Sequence, residues 1–246
     1  MVKIIAETAW HHEGDLVFMK ELVSEICLKT RTNYIKLHIN VDFDEYMSRD
    51  HPLYNTLKEW VFSEDQWLEV ISIIRKSGKE LMLLLNDNKS VEFASKVKPE
   101  IIEIHAACLN VPSISESILK KIDRQTKIIL GVGGTTSEEI ESAIETFKDR
   151  DLVLMFGFQN YPTKFESINL KKIRALQKKY SDLEFGYADH TSWDNENNKL
   201  VTMMVASNRM SYIEKHVTLN PGLKRTDFSA AISIDLFNRI HEDIKL

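Results

Sequence analysis

Six of the eight histidines lie at or just after the ends of short apolar runs. They are His11, His12, His38, His105, His190 and His216. A charged residue stands two positions before three of them, in the pairs Lys36 with His38, Glu103 with His105, and Glu214 with His216. Because side chains alternate with a period of two along a strand, the members of each pair would share a face. Imidazoles and carboxylates gathered in one place can hold a metal ion and move protons, so the pattern indicates an enzyme site.

His190 and His216 are predicted to end two neighbouring strands. Two imidazoles, completed by water or substrate oxygens, suit Mn²⁺, Zn²⁺ or Fe²⁺ and leave coordination positions open for chemistry. The spacing of these two residues therefore favours a catalytic metal site.

The elements that must position these residues alternate along the chain. Apolar runs predict eight strands, over 3–7, 34–39, 81–85, 101–106, 127–132, 152–158, 183–188 and 212–217. Amphipathic stretches predict helices over 15–30, 63–78, 113–122, 136–147, 169–180, 197–208 and 233–244. Thr136 followed by Glu139 predicts a capping box at the start of one helix. This alternation predicts an α/β fold, a single (β/α)8 TIM barrel with its site at the carboxyl ends of the strands.

A doubly wound open sheet is the alternative fold. Such a sheet usually carries a glycine-rich turn after the first strand, and ETAWHHEG (7–14) is not one. The long connection from about 40 to 62 is predicted to be irregular and to belong to the active site. We therefore predict one domain over residues 1–246.

Composition and charge exclude several classes of protein. The chain has 43% hydrophobic and 28% charged residues and a net charge of −5, with no basic patch for nucleic acid or an anionic membrane. No run approaches the about 18 apolar residues of a membrane span, and MVKIIAETAW is too short and polar for a signal peptide. Cys27 and Cys108 lie far apart, which is typical of a reducing compartment. We expect a cytoplasmic protein that binds neither nucleic acid nor membranes.

Four segments resemble, in order, the signature segments of the sialic acid synthase family. They are IAETAWHHEGDL (5–16), YPT (161–163), GYADHT (186–191) and IEKHVTL (213–219). This resemblance covers essentially the whole chain. It implies a barrel enzyme that uses a divalent metal to condense phosphoenolpyruvate with an N-acetylhexosamine-type sugar, and it is compatible with a homodimer.

The resemblance also implies roles for individual residues. His190 and His216 would be the metal ligands, with Mn²⁺ the first expectation. Glu7 would lie near the reacting carbonyl of the acceptor, Lys36 would neutralise negative charge on the donor, and Asp189 completes the predicted catalytic set. The predicted substrate-binding residues are His12, His38, His105, Gln159, Tyr161 and Asp227. His38 and His105 have no counterpart in the family, so they either orient other groups or form an added site.

The chain departs from the family where the family holds the phosphate of the donor. Glu103 and Ala106 stand where the family commonly has Lys and Ser, and GVGG (131–134) replaces STGM. Phe156-Gly157-Phe158 replaces a His-Cys-Thr pattern. We expect weaker anion binding as a result, since buried anions need charge-assisted partners, although backbone N–H groups of GVGGTT could compensate in part.

These departures leave two other functions open. One is a divergent aldolase, lyase or isomerase that uses the same metal site without phosphoenolpyruvate. The other is a non-catalytic family member that binds a sugar. The family's C-terminal antifreeze-like domain is not expected in this chain, so the acceptor need not carry an N-acetyl group.

Overall fold

Eight parallel strands close into a barrel in the computed structural model, which describes residues 2–157 and 160–244. Each strand pairs with the next, and the eighth pairs with the first. The barrel strands are β1 (Lys3–Glu7), β2 (Tyr34–Ile39), β3 (Glu80–Leu85), β4 (Ile101–Ile104), β5 (Lys127–Gly131), β6 (Leu152–Phe156), β7 (Glu184–Ala188) and β8 (Tyr212–Thr218), and a short β9 (Ile232–Ser233) adds to β8. This closure confirms the predicted TIM barrel and excludes an open sheet.

Helices connect the strands, and most of them cover the outside of the barrel. They are α1 (Leu16–Lys29), α2 (Phe43–Tyr46), α3 (Tyr54–Lys58), α4 (Glu64–Lys76), α5 (Asn88–Val97), α6 (Pro112–Lys121), α7 (Ser137–Thr146), α8 (Leu170–Lys179), α9 (Asn198–Ala206) and α10 (Ile234–Ile244). The Thr136–Glu139 capping box at the start of α7 is confirmed, because each side chain accepts from the backbone N–H of the other residue. No helix within the described ranges is long and apolar enough to cross a membrane.

Three predicted strands end earlier than the sequence indicated, at Ile104, Gly131 and Phe156. The predicted barrel requires a helix after β3, but the bounds of α5 were not predicted, because the polar sequence NDNKS at its start resembles a loop. The structure shows that Asp87 caps this helix by accepting from the N–H of Ser90 at 2.7 Å. The connection from 40 to 62 is also more regular than expected, since it contains α2 and α3.

Two apolar layers explain why the strands read as continuous apolar runs. In β3, Leu81, Leu83 and Leu85 belong to the core beneath the helices, whereas Met82 belongs to the core inside the barrel. A strand buried on both faces needs apolar residues at every position. Each fully buried leucine stabilises the fold by about 1.5–3 kcal/mol relative to an exposed one.

The segment from 40 to 62 forms a cap over one side of the barrel mouth. Phe43 and Tyr54 of the cap form a small core with Trp10, which follows β1. This core packs against Tyr46, Met47, Leu57, Trp60 and Val61. The cap is tied to the barrel where the N–H of Val41 donates to Asp87 Oδ2 at 2.9 Å and the N–H of Asn88 donates to Glu45 Oε2 at 2.7 Å. It therefore forms a wall of the site below it.

Candidate active site

A cavity of about 400 Å³ lies at the carboxyl ends of the strands. Its lining includes most of the residues that the sequence singled out. Among the described residues these are Glu7, Ala9, Trp10, Lys36, His38, Tyr46, Met47, Leu57, Leu84, Glu103, His105, Tyr161, Ala188, His190, Glu214, His216, Thr226 and Asp227. A site at this end of the barrel is where parallel (β/α)8 enzymes carry their chemistry.

Lys36 lies at the centre of a buried cluster of carboxyl groups. Its Nζ atom is 3.1 Å from Glu7 Oε2, 2.8 Å from Glu103 Oε2 and 2.8 Å from Glu214 Oε2. The lysine side chain is only 2% exposed. Pairing of β1 with β2 and with β8 brings Glu7 into register with Lys36 on one side and His216 on the other.

The charge in this cluster is shared unequally. Burial alone would disfavour the ammonium, but the surrounding carboxylates outweigh it and raise the pKa of Lys36 well above its usual value. Burial also disfavours ionised Glu7, yet Lys36 holds the pKa of this carboxyl well below its usual range. Burial and the negative charge of Glu7 raise the pKa of Glu214 well above normal, so Glu214 keeps a proton that it can share with Glu7. Burial likewise raises the pKa of Glu103.

A lysine in this state is not a nucleophile. Schiff-base chemistry needs a neutral amine, and the pKa of Lys36 is shifted in the opposite direction. Its place among three carboxyl groups instead makes it a fixed positive charge beside Glu7. Glu214, whose pKa is raised, and Glu7, whose pKa is lowered, are neighbouring carboxyl groups with opposite tendencies to hold a proton.

His190 and His216 meet at the ends of β7 and β8. Their Nε2 atoms are 3.2 Å apart and their ring planes are nearly perpendicular, at 89°. Two nitrogen ligands on one tetrahedral zinc ion would be about 3.3 Å apart, so this separation fits two ligands of one ion. Burial and the neighbouring His216 lower the pKa of His190 to about 3, which keeps its imidazole neutral, as a ligand must be.

The remaining donors around this pair are few. Glu7 Oε2 is 3.5 Å from His216 Nε2, and the described part of the chain contains no group of three or more His, Cys, Asp or Glu side chains arranged to hold an ion. The two imidazoles could therefore hold a divalent ion only with water or substrate oxygens in the other positions. That arrangement is typical of an open, catalytic site rather than a structural one.

Asp189 lies behind the cavity rather than in its lining. Its Oδ2 atom is 3.2 Å from Lys215 Nζ and accepts from the Thr202 hydroxyl at 2.6 Å, and its Oδ1 atom accepts from the N–H of Thr191 at 2.9 Å. Asp189 and Lys215 precede His190 and His216 in the chain, so their buried ion pair ties together the two strand ends that carry the histidines. These contacts favour a positioning role over the predicted catalytic one, which stays a prediction.

Tyr161 and Asp227 form another part of the cavity wall. The Tyr161 hydroxyl donates to the backbone carbonyl of Asp227 and accepts from the N–H of Ala230 at 3.2 Å. The Tyr161 ring centre is 5.5 Å from that of His190. The Asp227 carboxylate accepts from the N–H of Trp10 at 3.2 Å, which joins this wall to the segment after β1.

The predicted substrate-binding histidines separate into two groups. His38 and His105 line the cavity with their rings stacked at 6.4 Å, whereas His12 lies outside it and packs on Phe62 with ring centres 4.4 Å apart. His12 also accepts from the N–H of Gly14 at 3.1 Å, so its contacts are those of a core residue. The prediction for Gln159 falls outside the described residues.

Strands β5 and β6 contribute nothing to the described lining of the cavity. At Gly131 an added Cβ would lie 2.8 Å from the backbone N of Ala106, and at Gly157 it would lie 2.1 Å from the carbonyl oxygen of Ala188. Backbone therefore occupies the space that side chains would need on this side. The GVGGTT segment is not among the described lining residues either, and the partial compensation by its backbone N–H groups stays a prediction.

Some site residues had no role assigned from the sequence. Glu214 and Glu103 were noted at strand ends, but their convergence on Lys36 depends on positions far apart in the chain. Tyr46, Met47 and Leu57 of the cap were missed as cavity walls. The aromatic and apolar content of the long connection was the signal that could have indicated a packed cap.

Comparison with known proteins shows the family of this chain. The profile of the NeuB family matches residues 23–246. The chain belongs to the NeuB family. Its similarity to individual relatives is low but extends along nearly its whole length.

Two of these NeuB-family relatives illustrate the range. The chain is 27% identical to the N,N'-diacetyllegionaminic acid synthase of Legionella pneumophila, over 98% of this chain and 71% of that protein. It is 24% identical to the pseudaminic acid synthase of Campylobacter jejuni, over 99% of this chain and 73% of that protein. Both relatives are named as synthases of sugar acids.

Solved structures show the same fold. The N-acetylneuraminic acid synthetase of Leptospira borgpetersenii, crystallised with citrate, matches with a TM-score of 0.87 and 22% identity, over 99% of this chain and 82% of that chain. A truncated 3-deoxy-D-arabino-heptulosonate 7-phosphate synthase from Thermotoga maritima matches with a TM-score of 0.74 and 12% identity, over 99% of this chain and 85% of that chain. These likenesses support the barrel and its strand order.

Proposed function

We propose that the protein is an enzyme of the sugar-acid synthase type, which joins a three-carbon donor to an aldose-type acceptor with the help of a divalent metal. The observation that carries this proposal is the 3.2 Å approach of His190 Nε2 to His216 Nε2 beside the Glu7–Lys36 pair. Membership of the NeuB family supports the same class of reaction. Mn²⁺ is the first candidate ion, and Zn²⁺ and Fe²⁺ are the alternatives.

His190 and His216 would hold the metal, which when bound would act as a Lewis acid on a carbonyl oxygen. Glu7 is 3.5 Å from His216 Nε2, so it lies where it can exchange a proton with an acceptor carbonyl. Lys36 holds Glu7 ionised and adds the positive charge needed where negative charge develops. Tyr161 and Asp227 would form the acceptor wall, and the cap would keep water away from the donor.

A second candidate is favoured by the charge of the cavity. Four carboxyl groups and one lysine line it among the described residues, which is a poor environment for the phosphate of phosphoenolpyruvate. The alternative is therefore a metal-dependent aldolase, lyase or isomerase that uses a different donor. The buried pair of Glu7 and Glu214, whose pKa values are shifted in opposite directions, is a reason to prefer an enzyme over a protein that only binds a sugar.

The metal site is tested by measuring the binding of Mn²⁺ with electron paramagnetic resonance. We expect one ion per chain in the wild-type protein and at least about 100-fold weaker binding after His190→Ala with His216→Ala. His51→Ala, which removes an exposed imidazole, is the matched control. Equal Mn²⁺ binding in the double variant would contradict the proposal.

The test of the donor is calorimetric titration of phosphoenolpyruvate into the Mn²⁺-loaded protein. Metal-dependent binding that the double variant loses would favour the synthase reaction, and absence of binding to a metal-loaded protein would favour the second candidate. Cytoplasmic location, for which the free thiols Cys27 and Cys108 are suited, and a homodimer without nucleic-acid partners are also part of the proposal.

A further inference from the structure

The cavity half formed by β2, β3 and β4 contains an arrangement that the proposed function does not use. His38, Leu84 and Glu103 lie side by side in register on these three strands, and His105 follows Glu103 on the same face. All four line the cavity. His38 Nε2 is buried and has no hydrogen-bond partner among the described residues, so a polar atom of a ligand could satisfy it.

Positive charge is scarce in this half. Among the described lining residues, Lys36 is the single lysine and there is no arginine. The Lys36 ammonium already contacts three carboxyl groups. Arg225 is directed elsewhere, since it donates to the carbonyl of His11 at 3.3 Å and covers the ring of Phe18 at 4.0 Å. A multiply charged anion entering here would meet carboxylates before it met a free cation.

The groups that remain suit hydroxyls. Burial lowers the pKa of His38 to about 3 and lowers the pKa of His105, so both imidazoles are neutral and can donate as well as accept hydrogen bonds. A carboxylate such as Glu103 accepts from hydroxyl groups. The edge of Trp10, whose ring centre is 5.5 Å from that of His38, and the side chain of Leu84 provide apolar surface for carbon atoms.

We propose that His38, Glu103 and His105 form a subsite for the hydroxyl and carbonyl groups of an uncharged three-carbon hydroxycarbonyl compound, which serves as the donor in place of a phosphorylated acid. This rests on the proposed function, because it assigns the donor to the same cavity and the same bond-forming reaction. It makes the reaction an aldol addition without release of phosphate.

The step balances with the groups present. A carbon-bound proton of the donor passes to the carboxylate of Glu103, and the electron pair left behind forms the new bond to the aldehyde carbon of the acceptor. The aldehyde oxygen then takes up one proton from Glu103, directly or through water, and this restores the carboxylate of Glu103. No oxidant, reductant or leaving group is required.

The experiment compares three donors of increasing negative charge on the unaltered protein: dihydroxyacetone, pyruvate and phosphoenolpyruvate. Binding is measured by saturation-transfer difference NMR, with and without Zn²⁺, the diamagnetic candidate ion. We expect dihydroxyacetone to bind best, and Zn²⁺-loaded protein in D₂O to exchange its methylene protons faster than the buffer does. Tighter binding of pyruvate or of phosphoenolpyruvate, or no binding of dihydroxyacetone, would overturn the proposal.

Two variants locate the subsite. Glu103→Gln keeps the size of the side chain, and we expect it to abolish the exchange and to weaken dihydroxyacetone binding about tenfold. His38→Ala should weaken binding as well, whereas the exposed changes Glu116→Gln and His51→Ala should leave both measurements unchanged. Unaltered binding and exchange in Glu103→Gln, with folding verified by circular dichroism, would show that the donor lies elsewhere.

Failure of this proposal differs from failure of the proposed function. If Mn²⁺ binding does not depend on His190 and His216, the metal-dependent reaction is wrong whatever the donor ranking. If Mn²⁺ binding does depend on them and the charged donors rank first, the metal site stands and only the donor assignment fails.

Discussion

At the N-terminal end of the barrel, Lys127 lies 2.9 Å from Asp151 and also contacts Glu184, while at the C-terminal end Lys36 contacts three carboxyl groups. The Lys127 side chain is 19% exposed, and those of its partners Asp151 and Glu184 are 61% and 38% exposed. The Lys36 side chain is only 2% exposed. Water therefore screens the charges at one end and not at the other.

This difference separates stability from function within one barrel. Exposed or half-exposed ion pairs cost little and contribute little. A buried cluster with more acids than bases costs desolvation free energy that its mutual attraction only partly offsets. Such a cluster at the end of the barrel that carries active sites is consistent with a role in chemistry, where perturbed carboxyl groups are useful.

The largest expected effect comes from removing the central cation. Lys36→Met leaves three buried carboxyl groups without their counter-charge, and we expect the free energy of unfolding to fall by about 3–5 kcal/mol. Urea denaturation followed by circular dichroism measures it. A loss below about 1 kcal/mol would mean that water reaches the cluster and that the two ends are alike.

The second effect concerns the ion pair behind the cavity. Asp189→Asn removes the negative charge beside buried Lys215, whose ammonium also donates to Asn198 Oδ1 at 3.0 Å, and should cost about 2–3 kcal/mol. We also expect Mn²⁺ binding to weaken about tenfold, because the strand ends that carry His190 and His216 lose their tie. Asp182→Asn, at an exposed position, is the control, and full Mn²⁺ affinity in Asp189→Asn would argue against a positioning role.

A smaller effect tests the backbone wall on the β5 side of the active end. Gly131→Ala places a Cβ 2.8 Å from the N of Ala106 and 3.0 Å from the O of Ile104, and these backbone atoms cannot move aside cheaply. We expect a loss of about 1–3 kcal/mol in the free energy of unfolding. Equal stability of Gly131→Ala and wild type would show that this side can open to a side chain.

The smallest effect belongs to the N-terminal end. Lys127→Met keeps an apolar stem at the edge of the barrel core and removes a partly exposed cation, so we expect a change of at most about 1 kcal/mol. Thermal and urea unfolding measure it in parallel with Lys36→Met. A loss as large as that of Lys36→Met would remove the contrast between the two ends.

The sequence predicted the barrel because its strands are continuous apolar runs separated by amphipathic stretches, and it predicted the start of α7 from Thr136 and Glu139. It did not predict the bounds of α5, because the polar first turn of this helix resembles a loop and the capping role of Asp87 is visible only in the structure. Nor did it predict the small core of the cap, because packing among Trp10, Phe43 and Tyr54 leaves no periodic signal.

For the site, the sequence determined which residues share a strand face, since alternation along a strand is a local property. Lys36 with His38 and Glu103 with His105 follow from it, and both pairs line the cavity. Only the tertiary structure decided which faces meet. Pairing of β8 with β1 places Glu214 and His216 near Glu7. Pairing of β2, β3 and β4 brings Lys36 and Glu103 to the same side of the barrel, where they make contact. Spacing along a strand determines on which face a side chain lies. Only the closed barrel determines the distances between side chains of different strands, and the charge state of each carboxyl group depends on those distances.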